Sequence, residues 1–202
     1  MEKMGLAHYL EHCIFKGTKQ HGPMWILSRL DEVGGELNAF TAKEEICVHA
    51  TFLNKYTKRT FELMSDLVMN STFPLEEIEK EKEVIIDEIN SYKDSPVDRL
   101  MDEFDALLFP GSTLGNPILG TKKSVKGLQQ DDLLQFIQSN FTADNLVISY
   151  VGKESQQRLV NLIHECLPEL PLKAQNLQFE VPEKAQVFRI PRKWFPDSWA
   201  GK

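Results

Sequence analysis

The sequence predicts an α+β fold: a largely antiparallel sheet packed with helices. Three observations carry that expectation. Helical-period and strand-period segments do not alternate one for one along the 202 residues. The two neighbouring strand segments between residues 36 and 53 read as antiparallel. Apolar residues at 42% and charged residues at 26% make an ordinary globular composition, with enough chain to bury a core.

The elements follow in order. Residues 4 to 16 place Leu6, Leu10, Cys13 and Ile14 on one helical stripe, which Gly17 stops. Pro23 to Val33 reads as a second helix, ended by Gly34 and Gly35. Glu36 to Thr41 and Glu45 to Leu53 read as strands. In the second of these, Ile46, Val48, Ala50 and Phe52 alternate with Cys47, His49, Thr51 and Leu53. Asn54 to Met69 is helical, with Tyr56, Phe61, Met64, Leu67 and Val68 towards one side. A long charged helix runs from Leu75 to Ser91, and Pro96 opens another that reaches Leu108. Residues 109 to 123 carry Gly111, Gly115, Pro117 and Gly120 and read as a loop. A short helix is expected over Asp131 to Ser139, a strand over Asn145 to Val151 and a helix over Ser155 to Leu167. The chain divides into a main unit, residues 1–168, and a proline-rich continuation, 169–202, whose end holds Trp194, Phe195 and Trp199.

The net charge of −7 argues against a general nucleic-acid binder, which needs a cationic footprint. No apolar run approaches the roughly 18 residues that span a bilayer. Cys13, Cys47 and Cys166 form no C-x-x-C pair, which speaks against a disulfide scaffold and for a reducing compartment. No signal-peptide apolar region opens the chain, so a cytoplasmic location is expected.

The chemistry concentrates in His8-Tyr9-Leu10-Glu11-His12, an H-x-x-E-H pentad on a helix. At about 100° per residue, positions 8, 11 and 12 share one face. Two imidazoles one turn apart can grip a single metal ion, and the carboxylate beside them can hold the water to be activated. This is the reversed spelling of the H-E-x-x-H zinc-peptidase helix. The bland alternative is two helix-face histidines with an incidental glutamate. With 5 His and 19 Glu in the chain, random order yields about 0.01 such pentads. A catalytic zinc takes three protein ligands and keeps one position open, and His₂Glu is a known set. Candidates for the third ligand lie in Glu76 to Glu88, where Glu81 and Glu88 stand two helical turns apart. On its own this segment reads as a solvated, charge-laced helix face. Glu88, however, is flanked by Val84, Ile85, Ile86 and Ile89, so it is expected to face inward and to need a cationic partner. His21 and His49 are available as donors to a developing oxyanion but read better as packing residues. His164 and Cys166 read as structural, and Cys13 as a buried packing residue.

The stretches GLAHYLEHCIFKGT, GGELNAFTAKE, EKEKEVIIDEI, GNPILGT and FTADNLVISYVG, in that order over residues 4 to 152, resemble the pitrilysin-type (M16) zinc peptidases. That family includes the mitochondrial processing peptidases and insulin-degrading enzyme. The 76 positions from His12 to Glu88 match the family's spacing to its third ligand. The resemblance implies one Zn²⁺ per chain on His8, His12 and Glu88, Glu11 as general base, and Glu81 as an additional acidic residue that assists the site. It implies that Asn38, Ala39 and Thr41 belong to the N-A-x-T element of a substrate-binding edge strand. The implied substrate is an extended peptide or unfolded protein segment. The implied partner is a second M16-type half or another copy of the chain. Family members carry a strand and turn before the H-x-x-E-H helix, so the chain is expected to be truncated there and to lack the second half. The same family includes non-catalytic assembly subunits, which lose ligands. A truncated domain inactive without its partner half is the other alternative.

Overall fold

The computed structural model describes residues 3 to 167. Eight α-helices and one two-stranded sheet occupy them. The order is α1 (Leu6–Cys13), α2 (Pro23–Asp31), β1 (Glu36–Thr41), β2 (Ile46–Thr51), α3 (Thr57–Asn70), α4 (Leu75–Asp94), α5 (Pro96–Leu108), α6 (Lys122–Gly127), α7 (Gln130–Asn140) and α8 (Gln156–Cys166). The expected α+β class holds, with a small antiparallel sheet in a helix-rich frame. The proline-rich continuation, Trp194, Phe195 and Trp199 lie outside the described residues.

Local chemistry sets the boundaries. Pro23 and Pro96 occupy helix starts, where a missing N–H costs nothing. Thr121 and Ser124 form a reciprocal capping box that starts α6, so the expected loop ends two residues early, at Thr121. Strands β1 and β2 pair antiparallel with Glu36 opposite Thr51 and Ala39 opposite Val48. Leu37, Val48 and Ala50 face inward and pack against Ile14, Ile26, Leu30, Leu63 and Leu67.

Helix α1 sits between this cluster and a larger one. Leu6, Tyr9, Leu10 and Cys13 pack with Phe73, Ile78, Ile85, Ile86 and Ile89 and with Leu119, Val125, Leu128 and Leu133. The start of α1 is held by a glycine contact. Gly5 (φ 82°) and Gly120 (φ 72°) both occupy the left-handed region. A Cβ on Gly5 would lie 2.6 Å from the Leu119 carbonyl oxygen, and one on Gly120 the same distance from that of Met4. The GNPILGT loop therefore docks backbone to backbone on the entry to α1.

Asn145 to Val151 corrects the sequence expectation. The segment is not a strand. Its Val147 and Val151 are 89% and 98% exposed. Tyr150 donates its hydroxyl to Asn54 at 3.2 Å, a side-chain contact that makes no ladder. A run rich in strand-forming residues becomes a strand only where a neighbour supplies backbone partners, and no described residue does so here. Helix α5 carries a second exposed apolar row: Val97, Leu100, Met101, Phe104 and Leu107. No helix in the described residues is long and apolar enough to cross a membrane.

One buried hydroxyl ties α1 to α4. The Tyr9 ring is fully buried and its hydroxyl donates to the Ile78 carbonyl at 2.7 Å. Burial, with Cys13 and two glutamates adding, holds this hydroxyl far above the ordinary tyrosine range, so it stays a donor. Tyr9→Phe is expected to destabilise the chain by about 1 to 2 kcal/mol, read as a lower urea midpoint with unchanged slope.

Candidate metal centre

The α1–α4 seam brings four of the predicted side chains together. His8 and His12 stand one turn apart on α1, with ring centroids 4.7 Å apart and the rings steeply inclined at 67°. From α4, Glu88 Oε2 lies 3.6 Å from His8 Nε2 and 3.5 Å from His12 Nε2. One ligand atom from each of the three residues falls within 4.8 Å of the others, a group that could hold a metal ion. Donors 2.0–2.1 Å from one tetrahedral ion stand about 3.4 Å apart, so the carboxylate-to-imidazole spacings fit a zinc-sized ion between them. Glu88 is not the inward-facing residue its neighbours suggested. Its side chain is 37% exposed, and Val84 is half exposed beside it. The carboxylate lies at the rim of the seam, held towards the histidines by the helix rather than enclosed by apolar neighbours.

The histidines are prepared differently. His8 is buried, and burial followed by the charge of His12 pushes its pKa down to about 4. It is therefore neutral near pH 7, the form that ligates metals. Its Nδ1 is buried with no hydrogen-bond partner among the described residues, while Nε2 faces Glu88. His12 Nδ1 donates to Glu81 Oε2 at 3.0 Å. That bond fixes the Nδ1–H tautomer and leaves the Nε2 lone pair free on the Glu88 side. Glu81 thus sits behind a histidine, apart from the donor group. Burial raises its pKa, but the Lys16 ammonium, 2.6 Å from Oε1, and the His12 imidazole bring the net shift below the usual carboxylate range.

Glu11 projects from the same helix towards the sheet. Thr41, the last residue of β1, donates its hydroxyl to Glu11 Oε2 at 2.5 Å. Asn38 is exposed, and its Oδ1 accepts the Ala39 N–H at 2.8 Å. That amide is taken up locally, as suits a strand edge with no further strand beyond it in the described sheet.

The remaining histidines stay outside this group. His21 Nδ1 donates to Asp66 Oδ2 at 3.1 Å, and the ring stacks flat on Trp25 with centroids 3.4 Å apart. His49 is exposed on the outer face of β2, opposite Asn38 and 6.1 Å from Phe40. His164 is exposed on α8. Cys13 is fully buried, and burial raises its thiol pKa beyond reactive use. Sequence reading missed Lys16. The signal was available in its position, one helical turn after His12 and directly before Gly17.

Comparison with known proteins places the chain in a peptidase family. Residues 1–122 match the family described as Insulinase (Peptidase family M16), and residues 127–197 match the Peptidase M16 inactive domain. The chain belongs to peptidase family M16. It is 37% identical over 161 residues to an uncharacterized zinc protease of Mycobacterium leprae, covering 80% of this chain and 36% of that protein. It is 36% identical over 151 residues to the uncharacterized zinc protease YmxG of Bacillus subtilis, covering 75% and 37%. The beta subunit of the mitochondrial-processing peptidase of Dictyostelium discoideum is 37% identical over 163 residues, covering 80% and 34%. The chain thus spans little more than a third of the curated relatives it matches. The crystal structure of a protease from Helicobacter pylori shares the fold, with TM-score 0.79 at 21% identity over 86% of this chain and 42% of that one.

The depressed pKa of His8 gives a pH prediction for the metal-free chain. Between the unfolded value of 6.5 and the folded value of about 4, the unfolded state binds more protons. Stability from a neutral His8 is therefore fully present above about pH 6.5 and is lost as pH falls towards 4, by up to about 3 kcal/mol. Urea unfolding with a chelator present is expected to show this loss in wild type and a flatter profile in His8→Gln.

Proposed function

We propose that the chain is the zinc-site part of an M16 peptidase that hydrolyses peptide bonds in extended peptides or unfolded protein segments. It would hold one Zn²⁺ through His8, His12 and Glu88 within a working unit of residues 1–168. The observation that carries this reading is the near-equal approach of Glu88 Oε2 to both imidazoles, 3.6 and 3.5 Å. The names of the curated relatives agree with it. Their greater length supports action beside a second M16-type half or another copy of the chain. Three free thiols suit a reducing compartment such as the cytoplasm.

The bound ion supplies acidified water near neutral pH and a polarised scissile carbonyl. The protein's own groups do the rest. Glu11 accepts the proton of the attacking water and delivers it to the departing amine as the C–N bond breaks. The Thr41 hydroxyl holds one oxygen of Glu11, leaving the other for that proton. Neutral His8 presents a lone pair rather than a proton, and Glu81 orients the His12 ring through Nδ1 so that Nε2 faces Glu88. An extended peptide adds to the free edge of β1 at Asn38 to Thr41. Main-chain bonds there fix its backbone with little demand on sequence.

Zinc per chain, measured by elemental analysis, is expected to be one for wild type and near zero for His12→Ala and Glu88→Ala. Glu11→Gln is expected to keep zinc and lose turnover of a quenched peptide by about 10²- to 10⁴-fold. Wild-type zinc in Glu88→Ala would remove Glu88 from the ligand set. Ala39→Pro deletes an outward amide that only Asn38 Oδ1 holds in the free chain and that a docking peptide would take over, so the chain is expected to fold and hold zinc while the KM for extended peptides rises. An unchanged KM would take peptide binding away from this edge.

A further inference from the structure

Lys16 lies in the turn that closes α1 and has no part in the proposed hydrolysis. Its Nζ stands 2.6 Å from Glu81 Oε1, while Glu81 Oε2 accepts from His12 Nδ1 at 3.0 Å. Each carboxylate oxygen thus has its own donor. The pair is mostly shielded from water, with side chains 26% and 13% exposed. Lys82, the next cation on α4, is bonded instead to Glu79 at 2.6 Å. Among the described residues, Lys16 is the cation that Glu81 pairs with. A carboxylate bound through one oxygen can swing about its terminal bond, and one gripped through both cannot.

We propose that Lys16 is a positioning residue for the metal centre, holding Glu81 Oε1 so that Oε2 keeps the His12 ring in the orientation and tautomer that direct Nε2 at the ion. The inference rests on the zinc reading above. It makes the site a chain of four: an ammonium, a carboxylate, an imidazole and the ion. Partners standing behind a ligand in this way commonly govern 10- to 100-fold of metal affinity. Arginine carries the same charge and can reach the same oxygen, whereas methionine matches the stem and lacks the donor.

The test uses the full 202-residue chain and two probes, Zn²⁺ affinity by chelator competition and the visible absorption bands of the Co²⁺-loaded protein. Lys16→Met is expected to weaken zinc binding about 10-fold and shift the cobalt bands, and Lys16→Arg to restore both. Lys16→Gln carries the same expectation and replaces Lys16→Met if that variant does not fold. Lys16→Met in a Glu81→Gln background is expected to add no further loss, because the lysine acts through the glutamate. A purely structural tie would instead lower the melting temperature of the metal-free chain and leave zinc affinity and cobalt bands unchanged, and that result overturns the proposal. Losses that multiply in the double variant overturn it as well. His12→Ala separates the two levels. If it keeps wild-type zinc, the zinc reading fails and this inference with it. If it loses zinc while Lys16→Met and Lys16→Gln do not, this inference alone fails.

Discussion

The crossing of α1 over α4 is the contact on which the remaining geometry depends. Its strength is apolar. Tyr9, Leu10 and Cys13 on one side and Ile78 and Ile85 on the other are fully buried, at about 1.5 to 3 kcal/mol per large side chain. Ion pairs at partly exposed positions contribute at most about 1 kcal/mol each. The charged residues at the seam therefore do not hold the helices together. The helices hold the polar residues, including a desolvated neutral imidazole and a partly exposed carboxylate that would not otherwise meet. The Tyr9 bond to Ile78 adds direction, setting which turn of α4 faces which turn of α1.

A second contact connects this seam to the sheet. Thr41 closes β1 and reaches Glu11, so one end of the strand and one face of the helix share a hydrogen bond. The inner face of the sheet packs on the smaller apolar cluster, to which α1 contributes Ile14. Helix α1 consequently has contacts on nearly every side. His8 is buried for that reason, and its burial accounts for most of the depression of its pKa.

Much of this was legible along the chain because the signals were local. Apolar spacing, Pro23, Pro96 and the paired glycines 34 and 35 mark α2, β1 and α5 within a few residues of their observed ends. The three-residue set on two distant helices was legible only through the pentad and the spacing to Glu88. What failed depended on neighbours. Asn145 to Val151 is rich in strand-forming residues but has no ladder partner among the described residues. Glu88 was expected to turn inward because its flanking residues are apolar, yet Val84 lies on an exposed face of the same helix. Lys16 offered only its spacing from His12, because its role comes from the reach of a side chain after α1 has ended.

The glycine contact at the entry to α1 has a mechanical consequence. Gly5 precedes His8 by less than one turn, and its backbone rests against Leu119 and Gly120 with no room for a methyl group. A helix of eight residues behaves as a short rigid lever. Lifting its first residue by the width of one carbon tilts the whole rod and carries both imidazoles with it. The alignment of the metal-type donors is thus set partly from a loop more than a hundred positions downstream, where the backbone itself acts as the gauge.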